Sequence, residues 1–92
     1  MRYELILSSR AEATYLRLEG LHLYEVDQLL QRLAESPASI SFPGASPPFL
    51  DNSNFVTHVF DDEEGEHTYR AFFRYDADEQ RLWVSVIGHQ LR

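Results

Sequence analysis

YRAFFRYDADEQRLWVSVIGH, residues 69–89, reads as two alternating strands around an acidic turn, and the way those strands pair decides the fold. Side chains of a strand point to opposite faces with period 2. Tyr69, Ala71, Phe73 and Tyr75 therefore share one face, and Thr68, Arg70, Phe72 and Arg74 share the other. With residues 76–81 as the turn, matching apolar face to apolar face pairs Tyr75 with Leu82, Phe73 with Val84 and Ala71 with Val86. The same register opposes Arg74 to Trp83, Arg70 to Ile87 and Thr68 to His89. It makes His89 a diagonal neighbour of Arg70 on an open face, roughly 7 Å away between backbones. A guanidinium and an imidazole so placed suit phosphodiester chemistry, and they are equally compatible with ordinary solvated residues.

The rest of the chain supplies a cover for the other face. Residues 3–8 form a short apolar strand, and Ser9 with Glu12 forms an S-x-x-E capping box that starts a helix over about 10–18, ending at Gly20. A second helix starts near His22. Its Val26, Leu29, Leu30 and Leu33 recur at i, i+3, i+4 and i+7, with Leu23 a turn earlier, and Pro37 ends it. Residues 37–53 carry all four prolines, lack periodicity and read as a surface connection tacked down by Ile40, Phe42, Phe49 and Leu50. Residues 55–60 are a strand, and 61–66 a charged hairpin turn. The expectation is a single α+β domain, β-α-α-β-β-β, with a helical hairpin packed on an antiparallel, mostly C-terminal sheet. The hairpin covers the Tyr69 face and leaves the Arg70 face open.

Composition narrows the function. The 92 residues carry a net charge of −7, with eight Arg or Lys against fifteen Asp or Glu, and all eight cations are arginine. Long-range attraction to nucleic acid is therefore weak, and any such role needs a local cleft of arginines such as Arg70, Arg74 and Arg81. Without cysteine there is neither a disulfide framework nor a thiolate metal site. His22, His58, His67 and His89 lack H-x-x-x-H or H-x-H spacing, so no metal is expected. The acidic run 61–64 lacks the alternating ligands of a calcium loop. No glycine-rich phosphate loop or nucleophile elbow occurs, and no cofactor is implied. The apolar runs are too short to span a membrane, and the first ten residues do not form a signal peptide, so a cytoplasmic location is the default. Phe72 and Trp83 on the open face fit a protein-binding module, because aromatic and arginine side chains anchor interfaces.

The strand-helix-helix opening with Ala11 or Ala13, the helix ending at Pro37, the strand 69–76 with Arg70, and the ending Val86-Ile87-Gly88-His89 together resemble the RelE/ParE toxin superfamily of type II toxin–antitoxin systems. The resemblance covers most of the chain outside the Pro-rich connection. It implies a small α+β toxin inhibited by a cognate antitoxin, with a homodimer left open. RelE-like members cleave mRNA on the ribosome, and ParE-like members poison DNA gyrase without a nuclease centre. For the cleaving branch, Arg70 matches the arginine that contacts the scissile phosphate, His89 falls where some members carry an acid or base, and Arg74 assists. A 2′-hydroxyl attack needs such a cation and such a proton carrier, and no metal. Thr57 and His58 stand near positions where cleaving members often carry lysines, and Gln90 where an arginine is common. His89-Gln90-Leu91-Arg92 follows a looser His-x-x-Arg ending of ParE-like members, which tilts the reading towards binding.

Overall fold

In the computed structural model, which describes residues 2–37, 42–43 and 54–92, strand β1 (Glu4–Leu7) leads into helices α1 (Ser9–Tyr15) and α2 (Gly20–Glu35). Strands β2 (Phe42–Pro43), β3 (Asn54–Asp62), β4 (Gly65–Asp76) and β5 (Arg81–Leu91) follow. They form one sheet in the order β1-β5-β4-β3-β2. The β3-β4-β5 meander is antiparallel, as its two hairpin turns require, and β1 joins the β5 edge in parallel, so the sheet is mixed. Of the Pro-rich connection Pro37 and the β2 residues Phe42 and Pro43 are described, and the rest, with Ile40, Phe49 and Leu50, lies outside the described residues.

The helical hairpin covers one sheet face. Val26, Leu29, Leu30 and Leu33 of α2 are buried, on the stripe their spacing predicts, against Val56, Tyr69, Ala71, Phe73, Leu82 and Val84. Each fully buried large apolar side chain contributes about 1.5–3 kcal/mol of transfer free energy, which fixes which face of each strand turns inward. The first cap sits one residue earlier than the capping box predicts: Ser8, not Ser9, accepts the Ala11 N–H through its Oγ at 3.0 Å. Helix α2 begins at Gly20 and stops at Ser36, immediately before Pro37.

The register is where the structure departs from the period-2 reading. Tyr75–Leu82, Arg74–Trp83 and Phe73–Val84 pair as predicted, but Phe72 then faces Val86 and Ser85 is left over as a β-bulge. Beyond the bulge the partners are Ala71–Ile87, Arg70–Gly88 and Tyr69–His89, so Ile87 enters the core at 5% exposure and Val86 does not. Hydrogen bonds hold the extra residue. The Ser8 Oγ–H donates to the Ser85 carbonyl at 2.6 Å, the Ser8 N–H to the Val84 carbonyl at 2.9 Å, and the Ser85 Oγ–H to the Phe72 carbonyl at 3.1 Å.

Candidate functional site

The face that the helices leave uncovered among the described residues presents Arg70 and Arg74, both exposed, two pleats apart on β4 with Phe72 between them. Neither guanidinium hangs free. Arg70 donates from Nε to Thr57 Oγ1 on β3 at 3.3 Å, and its guanidinium lies 5.5 Å from the centre of the Phe55 ring. Arg74 sits 5.0 Å over Trp83, the cation–π contact that the strand register predicts. Aromatic faces restrain these long side chains and leave the outer guanidinium N–H groups to a ligand. Gly88 opposite Arg70 adds no side chain to the floor, and a shallow groove of about 190 Å³ opens there, bordered by Thr68, Arg70, Phe72, Gly88, His89 and Gln90. Arg81, the third arginine of the expected basic cleft, is instead drawn into ion pairs with Glu4 at 3.4 Å and Glu79 at 3.3 Å.

His89 does not share the Arg70 face. The bulge shifts it by one position, so it stands opposite Tyr69, at the border of the groove. Its ring stacks on Tyr69 with centroids 4.5 Å apart, and its Nε2 lies 2.8 Å from His67 Nδ1. Burial lowers its pKa, and the neighbouring His67 and His22 lower it further. The guanidinium–imidazole pair expected from a regular register is therefore split between the two sides of the sheet.

What strand alternation leaves on the helix side is a histidine cluster that sequence spacing conceals. His22, on the first turn of α2, sets Nδ1 at 2.7 Å from the Tyr69 hydroxyl and Nε2 at 3.1 Å from Asp62 Oδ2. His67, 1% exposed, sets Nε2 at 2.7 Å from Asp62 Oδ1. One consistent proton arrangement has both Nε2–H groups donating to the Asp62 carboxylate, His67 Nδ1 accepting from His89 and His22 Nδ1 accepting from Tyr69. Partial burial pulls the Asp62 carboxyl upward, but hydrogen bonds from His67, the Glu64 N–H and His22 outweigh it and bring its pKa down to about 2. Burial, then the Asp62 charge, raise the Tyr69 phenol. His58 lies on the same side, donating from Nε2 to Glu25 at 2.6 Å and accepting from Arg32 at Nδ1 at 2.7 Å. All four histidines thus stand on the helix side. Their separation in the chain gave no motif; the only sequence signal was that His67 and Tyr69 share the apolar parity of β4.

No protein-family model matches the chain, and no curated protein matches it. Solved structures do. A chain of the RelBE2 toxin–antitoxin complex from Mycobacterium tuberculosis superposes with a TM-score of 0.76 at 15% identity, covering 98% of this chain and 100% of that one. A chain of the intact Escherichia coli RelBE toxin–antitoxin complex gives 0.63 at 16% identity, covering 98% and 99%. At such identities the likeness establishes the fold: the chain has the α+β architecture of chains found in RelBE toxin–antitoxin complexes.

Proposed function

We propose that the chain is the toxin component of a type II toxin–antitoxin pair, that it acts in the cytoplasm, and that a cognate antitoxin holds it inactive. The observation that carries this reading is the likeness over nearly the whole of both chains to a member of the RelBE2 complex. Among the described residues no helix is long and apolar enough to cross a membrane. The acting surface is the Arg70–Arg74 face, and its mode is binding. Two restrained guanidiniums beside Phe72 and Trp83 supply charge and aromatic contact area, the ingredients of an interface anchor. Among the described residues bordering the groove, Thr68, Arg70, Phe72, Gly88 and Gln90 offer no group that exchanges a proton near neutral pH, and the His89 ring is tied to His67 and Tyr69. This favours a ParE-like mode, in which a target such as DNA gyrase is bound, over RelE-like cleavage of mRNA.

The test is inducible expression without the antitoxin. Growth should arrest, Arg70→Ala with Arg74→Ala should relieve the arrest while the circular dichroism stays native, and His89→Gln should leave it in place. Arrest that survives loss of both arginines refutes the acting surface. Fragmentation of mRNA that disappears with His89→Gln refutes the binding mode and restores the nuclease reading.

A further inference from the structure

We propose that His22, Asp62, Glu64 and His67 form a binding site for a divalent transition-metal ion of the zinc class, clamping the start of α2 to the β3–β4 hairpin. Each of the four residues offers one ligand atom, and those atoms all lie within 4.8 Å of one another. A tetrahedral ion with bonds of about 2.0–2.2 Å sets its ligands roughly 3.3–3.5 Å apart. His22 Nε2, now 3.1 Å from Asp62, needs to open by a few tenths of an ångström, and His67 Nε2, now 2.7 Å from it, by about 0.6–0.8 Å. Two imidazoles and two carboxylates match the charge of a divalent ion, and nitrogen donors select the zinc class over magnesium or calcium.

The surroundings hold the ligands in the required attitude. Both Nε2 atoms converge on one carboxylate, while the two Nδ1 atoms are engaged on the far side, His22 with Tyr69 at 2.7 Å and His67 with His89 at 2.8 Å. That is the arrangement by which outer partners fix the tautomer and ring plane of a ligating histidine. A neutral imidazole carries one N–H, and moving it to Nδ1 frees the inner lone pair without ionising the ring. His67 cannot swing away, since it is 1% exposed and its ring lies stacked 5.3 Å from Phe60. Asp62 and Glu64 are already joined by the Glu64 N–H donating to Asp62 Oδ1 at 2.8 Å. His89 is a positioning residue and not a third imidazole ligand: its Nε2 is held against the outer nitrogen of His67. Four protein ligands close the coordination sphere, so the ion acts structurally, and the site is independent of whether the opposite face is a toxin surface.

The full chain, freed of affinity tags and treated with chelator, should bind Zn²⁺ at one saturable site by calorimetry. Co²⁺ in its place should show the visible d–d absorption of a tetrahedral centre, and excess Mg²⁺ should not compete. Glu64→Gln, in an exposed turn where it cannot unfold the chain, and His22→Gln should each weaken Zn²⁺ at least ~10-fold, and His89→Gln should weaken it by about 10–100-fold through His67. Glu79→Gln, at an acidic turn elsewhere, should leave affinity unchanged. No saturable binding, an octahedral Co²⁺ spectrum, or equal affinity in Glu64→Gln, His22→Gln and Glu79→Gln would each overturn the site.

Discussion

Truncating Ile87 and Val86 separately asks which of two adjacent residues the sheet turns into the core, and therefore on which side of the sheet His89 lies. With Ser85 bulged out, Ile87 faces Ala71 beneath the helices at 5% exposure, while Val86 stands beside Phe72 on the uncovered face and is only half buried. Ile87→Ala removes buried carbon and leaves a cavity in a layer held by α2, a change that costs about 2–5 kcal/mol. Taking ~3 kcal/mol and about 4–8 °C of melting temperature per kcal/mol for a domain of this size, the melting point should fall by about 12–24 °C. Val86→Ala removes two carbons from a half-wet position and should cost about 1 kcal/mol. Total stability for such a domain is about 5–15 kcal/mol, so the first variant sits near the edge of folding and the second does not. Urea unfolding followed by the single tryptophan, Trp83, measures both on one scale. If Val86→Ala proves the costlier, the unbulged register holds, and His89 returns to the Arg70 face together with the case for proton transfer there.

Two further outcomes follow from individual contacts. Ser8→Ala removes both the α1 cap and the bond that pins the bulge carbonyl, so it should cost about 1–2 kcal/mol, while Ser9→Ala, one residue along and exposed, should cost less than half of that; equal losses would place the cap at Ser9 after all. Tyr15 donates to Asp27 Oδ1 at 2.5 Å, and this bond, then burial, then the Asp27 charge raise its phenol above 10.0. A folded-state value above the unfolded one gives stability that is whole below pH ~10 and fades as pH climbs through the folded value. Ultraviolet titration of the native protein should show late phenolate absorbance from Tyr15 and Tyr69, of which Tyr15→Phe removes one tyrosine's share, and an unchanged late component would refute the coupling.

Period alone carried most of the fold. The stripe Val26, Leu29, Leu30, Leu33 and the alternation of Tyr69, Ala71 and Phe73 each had only one face to bury, so helix packing and the Arg74–Trp83 opposition followed directly. The misreading began at Val86-Ile87, where two β-branched residues in succession make either parity apolar. A bulge of one residue then costs the core nothing, and a hydrogen bond from Ser8, distant in the chain, decides it. The histidine cluster was hidden for a related reason. His22 reaches His67 only because α2 lies across the sheet, and no spacing along the chain encodes that crossing.

The same alternation has a functional consequence. On β4, His67 and Tyr69 turn inward and Arg70 and Arg74 turn outward, so neighbouring residues of one strand serve the metal cluster and the groove from opposite sides. Neither imidazole of the cluster can reach a ligand held by Arg70 without breaking a bond to Asp62, Tyr69 or His89. The arginine face is thereby left to recognise charge and shape alone, while the histidines are free to serve the integrity of the hairpin that presents it. A bound ion tightens the Asp62–Gly65 turn at one end of β4 and leaves the groove chemistry as it was. Zinc affinity that survives loss of both arginines, beside growth arrest that survives Glu64→Gln, is the pattern this division requires. Loss of both properties on either change would mean the two faces act as one site.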